Sequence, residues 1–421
     1  MILPAASMYN EVIQNPKLCF SDPELMEGVP KTNKLGIPSP ISGQNALVYE
    51  ITTSSKKTYA VRCFLRYDPD QKERYQKISD YLGKRNLKYT VGFKFIESGI
   101  KVQNTWYPIL KMDWVEGEPL EDYLNKNFQN QNLISQLSYR FLEMLMDIRK
   151  ASIAHCDLQH GNILVVNNEL KLVDYDTMFI PDFAGKRSLA YGHINYQHPS
   201  KVFQTFDKNM DNFSAWVIFS SLALVATRPN FWIEKHPDLQ GNELLFDYDD
   251  FINPEKSPIL KKLKNNPHSS IMKFGKLMNS LMISPELLPS PVDYSLPSFT
   301  SDTSWIDKYV DTLLNYDSYA GGRTTTDEPV ESPWYVEFIR KGITPPKPWY
   351  MERYEEAESS VSADIKTDKM PVHGGCSFCG KREYLPWKCN YCGEMFCGDH
   401  RMPFNHDCPG IERYKNRNVR Y

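Results

Sequence analysis

The stretch "AHCDLQHGNILVVNNELKLVDYD", residues 154–176, carries an Asp at 157, an Asn at 162 and a second Asp at 174. A short apolar run, "NILVV", lies between them, and another, "LKLVDY", bears the last acid. Two such β-prone runs in close succession predict a hairpin. In a hairpin, Asp157 and Asn162 flank one loop while Asp174 closes the second strand, so three oxygen-bearing side chains converge on one point. Oxygen ligands of this kind suit magnesium. Transfer of a γ-phosphoryl group needs chiefly positioned charge: a carboxylate and an amide on the metal, and a carboxylate beside the incoming hydroxyl. On this reading Asp157 is catalytic, orienting or deprotonating the acceptor, and Asn162 and Asp174 hold magnesium.

Working outward from this stretch, the chain divides by composition. Residues 1–34 form an N-terminal arm that passes into "KTNKLGIPSPISG" and reads as mostly irregular. "ALVYEITT" and "KTYAVRCFL" alternate in hydrophobicity around "SSKK" and predict a hairpin. "QKERYQKISDYLGK" has helical spacing through Tyr75, Ile78 and Leu82, with Gly83 placed to stop it. "VGFKFIESGIKV" and "TWYPILKMDWV" return to strand character. Helices follow: Ile134, Leu137, Phe141, Leu145 and Ile148 share one apolar stripe. The fold class expected is therefore α+β, a small strand-rich lobe and a larger helical lobe joined near "DWVEGEPL", with a ligand cleft between them. Beyond residue 290 proline, glycine and charge predominate, so residues 291–370 read as a partly ordered linker, with Trp305, Tyr309 and Leu313 marking one amphipathic helix.

Bulk properties narrow the partners. The 421 residues are 41% hydrophobic and 24% charged, as in ordinary globular chains, and are long enough for two or three domains. The formal charge of -3 offers no whole-molecule reason to bind nucleic acid or an anionic membrane. "MILPAASMYNEVIQNPK" lacks a basic-then-apolar leader, and the longest apolar run, from Phe213, is too short to span a bilayer. A cytoplasmic protein is expected.

"HCDLQHGNIL" followed by "LVDYD" resembles the protein-kinase catalytic loop and metal-binding segment, H-R-D-L-x-x-x-N and D-F-G. His155, Asp157, Leu158, Asn162 and Asp174 match; Cys156 stands for Arg, and Tyr175-Asp176 for Phe-Gly. "GHINYQHPS" resembles the segment ending in A-P-E, and "DNFSAWVIFS" the helix whose Asp anchors the catalytic loop. The resemblance covers residues 35–290 and points to a bacterial and archaeal branch of kinase-like proteins with a two-lobed fold. It implies ATP with magnesium as the bound cosubstrate, and Gly43, Ala46 and Val48 of "ISGQNALV" in the phosphate loop. Arg62 stands for the lysine of V-A-I-K and keeps its charge with a forked geometry. For the glutamate that normally pairs with it, Glu73 lies early on the helix and Asp80 is better spaced. Gln159 replaces the catalytic-loop lysine. Cys156 is expected to pack rather than react, and His160 and His198 to hydrogen-bond rather than bind metal. Ser188 and Tyr191 are candidate phosphorylation sites in the activation segment.

Six of nine cysteines crowd into "CSFCGKREYLPWKCNYCGEMFCGDHRMPFNHDC", residues 376–408, with spacing C-x2-C-x9-C-x2-C-x4-C-x2-H-x5-H-x-C. Eight soft ligands in pairs suit two tetrahedral, structural zinc sites, and a span this short draws folding energy from metal. The order resembles the AN-one-type zinc finger, a cross-braced two-zinc module, here residues 371–412. That resemblance implies Cys376, Cys379, Cys397 and His400 on one zinc, and Cys389, Cys392, His406 and Cys408 on the other. A basic tail, residues 413–421, follows. The expected function is an atypical Ser/Thr protein kinase whose finger recruits a protein substrate or complex; the alternative is a pseudokinase scaffold, with a small-molecule phosphotransferase the weaker third class.

Overall fold

The structure, a computed structural model, describes residues 3–42, 46–66, 70–186, 192–199, 206–239, 243–281, 288–314, 377–378, 387–388 and 394–396. Gly43, Ser188, Tyr191, the eight expected zinc ligands, residues 315–370 and the basic tail lie outside the described residues. The chain forms two units, Met1–Pro348 and Trp349–Tyr421.

The first unit opens with three short helices, α1 (Ala6–Val12), α2 (Pro16–Cys19) and α3 (Pro23–Met26). This corrects the expectation of an irregular arm. Pro16 and Pro23 begin two of these helices, where a missing N–H costs nothing, and Asp22 caps the third by accepting from the Leu25 N–H at 3.2 Å. Strands β1 (Val29–Pro30), β2 (Ile41–Ser42), β3 (Ala46–Thr52) and β4 (Thr58–Phe64) follow, with β3 and β4 the expected hairpin. Helix α4 (Gln71–Arg85) runs straight through Gly83 and stops at Asn86, whose φ of 46° places it in the left-handed region that Asn tolerates. Strands β5 (Phe93–Val102) and β6 (Thr105–Asp113) complete an antiparallel sheet of order β1-β3-β4-β6-β5, with β2 also on β3.

Alternation along these strands gives the sheet two different faces. Leu47, Tyr49, Ile51, Val61 and Cys63 point outward and are roofed by Tyr9, Ile13, Phe20 and Leu25 of the arm. Ala46, Phe64, Leu110 and Met112 point to the opposite side, into the core shared with Tyr75, Ile78 and Leu82 of α4 and with the helical lobe. The arm is pinned electrostatically as well. Lys111 of β6, 7% exposed, donates to Asp22 at 2.7 Å and to Glu24 at 2.6 Å.

The helical lobe begins after β7 (Glu118–Pro119) with α5 (Leu120–Asn127) and α6 (Gln131–Lys150). The predicted stripe on α6 is buried throughout. Strands β8 (Ile163–Val166) and β9 (Glu169–Leu172) form a hairpin, and β7 pairs with β8. Helix α7 (Asn212–Thr227) is buried at every position, the fate of a segment apolar all round. The lobe continues through α8 (Asn230–Lys235), α9 (Tyr248–Ile252), α10 (Pro258–Lys264), α11 (Ser269–Ser280) and α12 (Ser304–Leu314). Residues expected in the linker therefore belong to this core. Trp305, Ile306, Tyr309, Val310 and Leu313 of α12 are buried, and Trp305 Nε1 donates to Ser135 Oγ of α6 at 2.8 Å.

In the second unit, β10 (Trp387–Lys388) pairs antiparallel with β11 (Met395–Phe396), and the Ser377 N–H donates to the Met395 carbonyl at 2.8 Å.

Candidate functional site

The β8–β9 hairpin places its two ends side by side. Ile163 pairs with Leu172, and the Val173 N–H donates to the Asn162 carbonyl at 3.0 Å, adding one rung beyond the strands. Asn162 and Asp174 thus leave the same end of one hairpin. Asn162 turns its amide nitrogen on Asp157, donating to its carbonyl at 2.9 Å and to its carboxylate at 3.1 Å. The other Asp157 oxygen accepts from the His193 N–H at 2.8 Å, and Gln159 Nε2 donates to Asp157 at 3.4 Å. Asp157 is therefore oriented by its own loop, residues 157–162, and by the segment after residue 191.

Two residues here hold a left-handed backbone without being glycine: Cys156 at φ 65° and Asp174 at φ 64°. Each such position costs about 1–3 kcal/mol and persists only where surrounding bonds over-determine it. For Cys156 those bonds come from Asp211 at the start of α7, whose carboxylate accepts from the backbone N–H groups of His155 and, at 2.7 Å, Cys156. His155 Nε2 donates to the Val173 carbonyl at 2.9 Å, tying the loop to the end of β9. The Cys156 thiol is buried between the Ala154 carbonyl and Met210, a packing position. His160 meets the Tyr196 hydroxyl at 2.6 Å and His198 the Leu281 carbonyl at 3.1 Å.

Arg62 reaches the same place from β4. Its cross-strand partner is Val48, and Ala46 pairs with Phe64, so the side chains of Ala46, Val48 and Arg62 alternate onto the face opposite the arm. Arg62 donates through Nη1 to Asp174 at 2.7 Å and through Nη2 to Asp176. The expected helix partners are not used. Glu73 pairs with Lys77 at 2.5 Å and Asp80 accepts from Gln76 at 3.0 Å, both on the exposed side of α4. Helix α4 instead turns Tyr75 and Arg74 toward the site, Tyr75 donating to the Asp176 carboxylate and Arg74 to the Asp176 carbonyl.

The electrostatics follow from one cation facing two acids. Burial pushes the Asp174 carboxyl up, but the Arg62 charge and hydrogen bond outweigh it and hold Asp174 below the usual carboxylate range. Burial and then the Asp174 charge push Asp176 up to about 6. Burial works against the Arg62 cation, and Asp174 and Asp176 more than offset it. Burial also keeps the Tyr75 hydroxyl protonated, hence a donor.

Two features fit a metal-bound triphosphate. Asn162 spends its amide nitrogen on Asp157, which leaves its amide oxygen as the atom for a cation. Arg62 Nε is buried and has no hydrogen-bond partner among the described residues, a donor that a phosphate oxygen would satisfy.

A strand-rich lobe over a helical lobe, with a loop-and-hairpin oxygen cluster beneath a strand cation, defines a kinase-like fold. A family model for the protein kinase domain matches residues 34–335, and the chain belongs to that family. A second, for the AN1-like zinc finger, matches residues 376–413, so a zinc-binding finger is present. CDC48-associated ubiquitin-like/zinc finger protein 1 of Saccharomyces cerevisiae is 33% identical over 49 residues, 12% of this chain and 18% of that protein. The match thus spans less than a fifth of the curated relative. Among solved structures, the Cydia pomonella granulovirus kinase PK-1 is similar at a TM-score of 0.40 and 16% identity, over 60% of this chain and 90% of that one. Among the described residues, no helix is long and apolar enough to cross a membrane.

Sequence reasoning missed Asp176, Tyr75 and Arg74 as one network, and Gly192 beside Asp157. The pattern "DYD" was a usable signal for the first, because an acid stands where the family has glycine.

Proposed function

We propose that this chain is an ATP- and magnesium-dependent protein kinase that phosphorylates Ser or Thr hydroxyls in the cytoplasm. The observation that carries this reading is Asp157: an intact carboxylate held at both oxygens by His193 and Asn162. Asp157 orients the acceptor hydroxyl and takes its proton as the hydroxyl oxygen bonds to the γ-phosphorus and ADP departs. Arg62 holds phosphate oxygens from above, with Ala46 and Val48 on the same sheet face. Asn162 and Asp174 would hold magnesium, which supplies neutralising charge to the phosphates when bound. The finger binds two structural zinc ions through its eight Cys and His side chains and recruits a protein target or complex; neither nucleic acid nor membrane is expected as a partner.

A pseudokinase scaffold is the second reading. It is favoured by one contact: Arg62 occupies one oxygen of Asp174, a residue that would hold the metal. Labelled ATP and magnesium separate the two. Transfer to the protein itself or to a generic protein acceptor is expected for wild type and at least ~100-fold less for Asp157→Ala. Equal label in both rejects the catalytic role, and nucleotide binding without transfer selects the scaffold. A metal assay is expected to return about two zinc ions per chain; one or none rejects the eight-ligand assignment.

A further inference from the structure

Helix α4 offers Arg62 no carboxylate, yet Arg62 and α4 are not independent. Both converge on Asp176. One oxygen of that carboxylate accepts from Arg62 Nη2 and the other from the Tyr75 hydroxyl, while the Asp176 carbonyl accepts from Arg74. Arg74 is itself fixed, its guanidinium lying 5.5 Å from the Phe183 ring and 5.6 Å from the Phe206 ring. The Asp176 backbone is not among the positive-φ positions, so a side chain where the family has glycine costs no backbone strain.

We propose that Asp176 is the positioning residue for Arg62, one carboxylate that sets the guanidinium with one oxygen and fastens α4 with the other. The proposal rests on the nucleotide-binding reading above and deepens it. A guanidinium carries five donors in a rigid fork, so it can keep Asp176 on Nη2 while Nη1 and Nε, which has no partner among the described residues, turn to phosphate. Asp174 is then released to the metal. Asp176 does not leave, because Tyr75 and Arg74 hold it from the helix. The arrangement transfers to the metal-binding segment the task that a helix acid performs in the family pattern, and Glu73 and Asp80 are left on the surface, paired with Lys77 and Gln76.

The distinguishing consequence is that Asp176 acts on the phosphates of a nucleotide and not on its base. In the full-length chain with magnesium, ATP and adenosine binding are measured for wild type, Asp176→Asn, Arg62→Met and the double variant, with Asp176→Glu as the charge-retaining control. Loss of a charge-assisted bond predicts a ten- to hundredfold weakening of ATP by Asp176→Asn, by about 1.5–3 kcal/mol converted at tenfold per 1.4. Adenosine affinity is expected to stay unchanged, Asp176→Glu to recover part of the loss, and Asp176→Asn to add nothing in the Arg62→Met background. Equal losses for ATP and adenosine would mean that Asp176 only holds the fold, and additive losses that it does not act through Arg62; either overturns the proposal. Wild type that binds no ATP overturns the nucleotide reading along with it.

Discussion

Gly192 shows how closely one residue is fitted to another at this site. Its φ is +68°, and a Cβ built there would lie 3.0 Å from Asp157 Oδ1, 3.0 Å from the Cys156 carbonyl and 2.5 Å from Gln197 Nε2. A side chain is therefore excluded by both backbone conformation and space. Gly192→Ala is expected to displace Asp157 and cut phosphoryl transfer about 100-fold, the scale of a 1 Å misplacement, while costing about 1–3 kcal/mol of stability. Transfer at the wild-type rate in a folded variant would show that this loop does not set the carboxylate. Asp157, Asn162 and Asp174 were legible because residue types at fixed spacing along a hairpin leave few geometries. Gly192 was not, since its neighbour Asp157 is distant in sequence and one glycine in a loop has many possible reasons.

At the scale of elements, local patterning located most strands and helices, while their ends and partners came from elsewhere. Helix α4 passes Gly83 because open space there imposes nothing, and ends where Asn86 turns left-handed. The arm carried a signal that could have been read: Asn15-Pro16 and Asp22-Pro23 are both helix-start pairs. What no pattern announced was Lys111, a charge in the middle of an otherwise apolar strand. Folding resolves it by bringing Asp22, 9% exposed, and Glu24 from the arm. Lys111→Ala would leave the buried Asp22 carboxylate without its cation, and breaking one side of a buried pair costs about 3–5 kcal/mol. Denaturant unfolding is expected to report a loss of that size. A change under about 1 kcal/mol would mean the arm is held by its apolar contacts alone.

For the whole molecule, composition placed a boundary near residue 290, whereas packing carries the first unit's core through Leu313. Tyr309 donates to the Pro291 carbonyl, Asn212 to the Leu288 carbonyl at 2.6 Å, and Ser135 to the Asp302 carbonyl at 2.8 Å. A chain ended at residue 290 would expose the faces that cover Trp305 and Tyr309, each large ring being worth about 3–5 kcal/mol when buried. It is expected to aggregate or melt far below a chain ended at residue 314, and equal melting of the two would return α12 to the linker. Sequence by itself marked out the zinc finger and the oxygen trio of the hairpin, because metal and phosphate chemistry fix residue type and spacing over short spans. Only the tertiary structure decided which acid holds Arg62, what covers the outer sheet face and where the helical core ends. Those contacts join residues from tens to well over a hundred positions apart, and their energies depend on burial and facing charge, which the order of residues does not display.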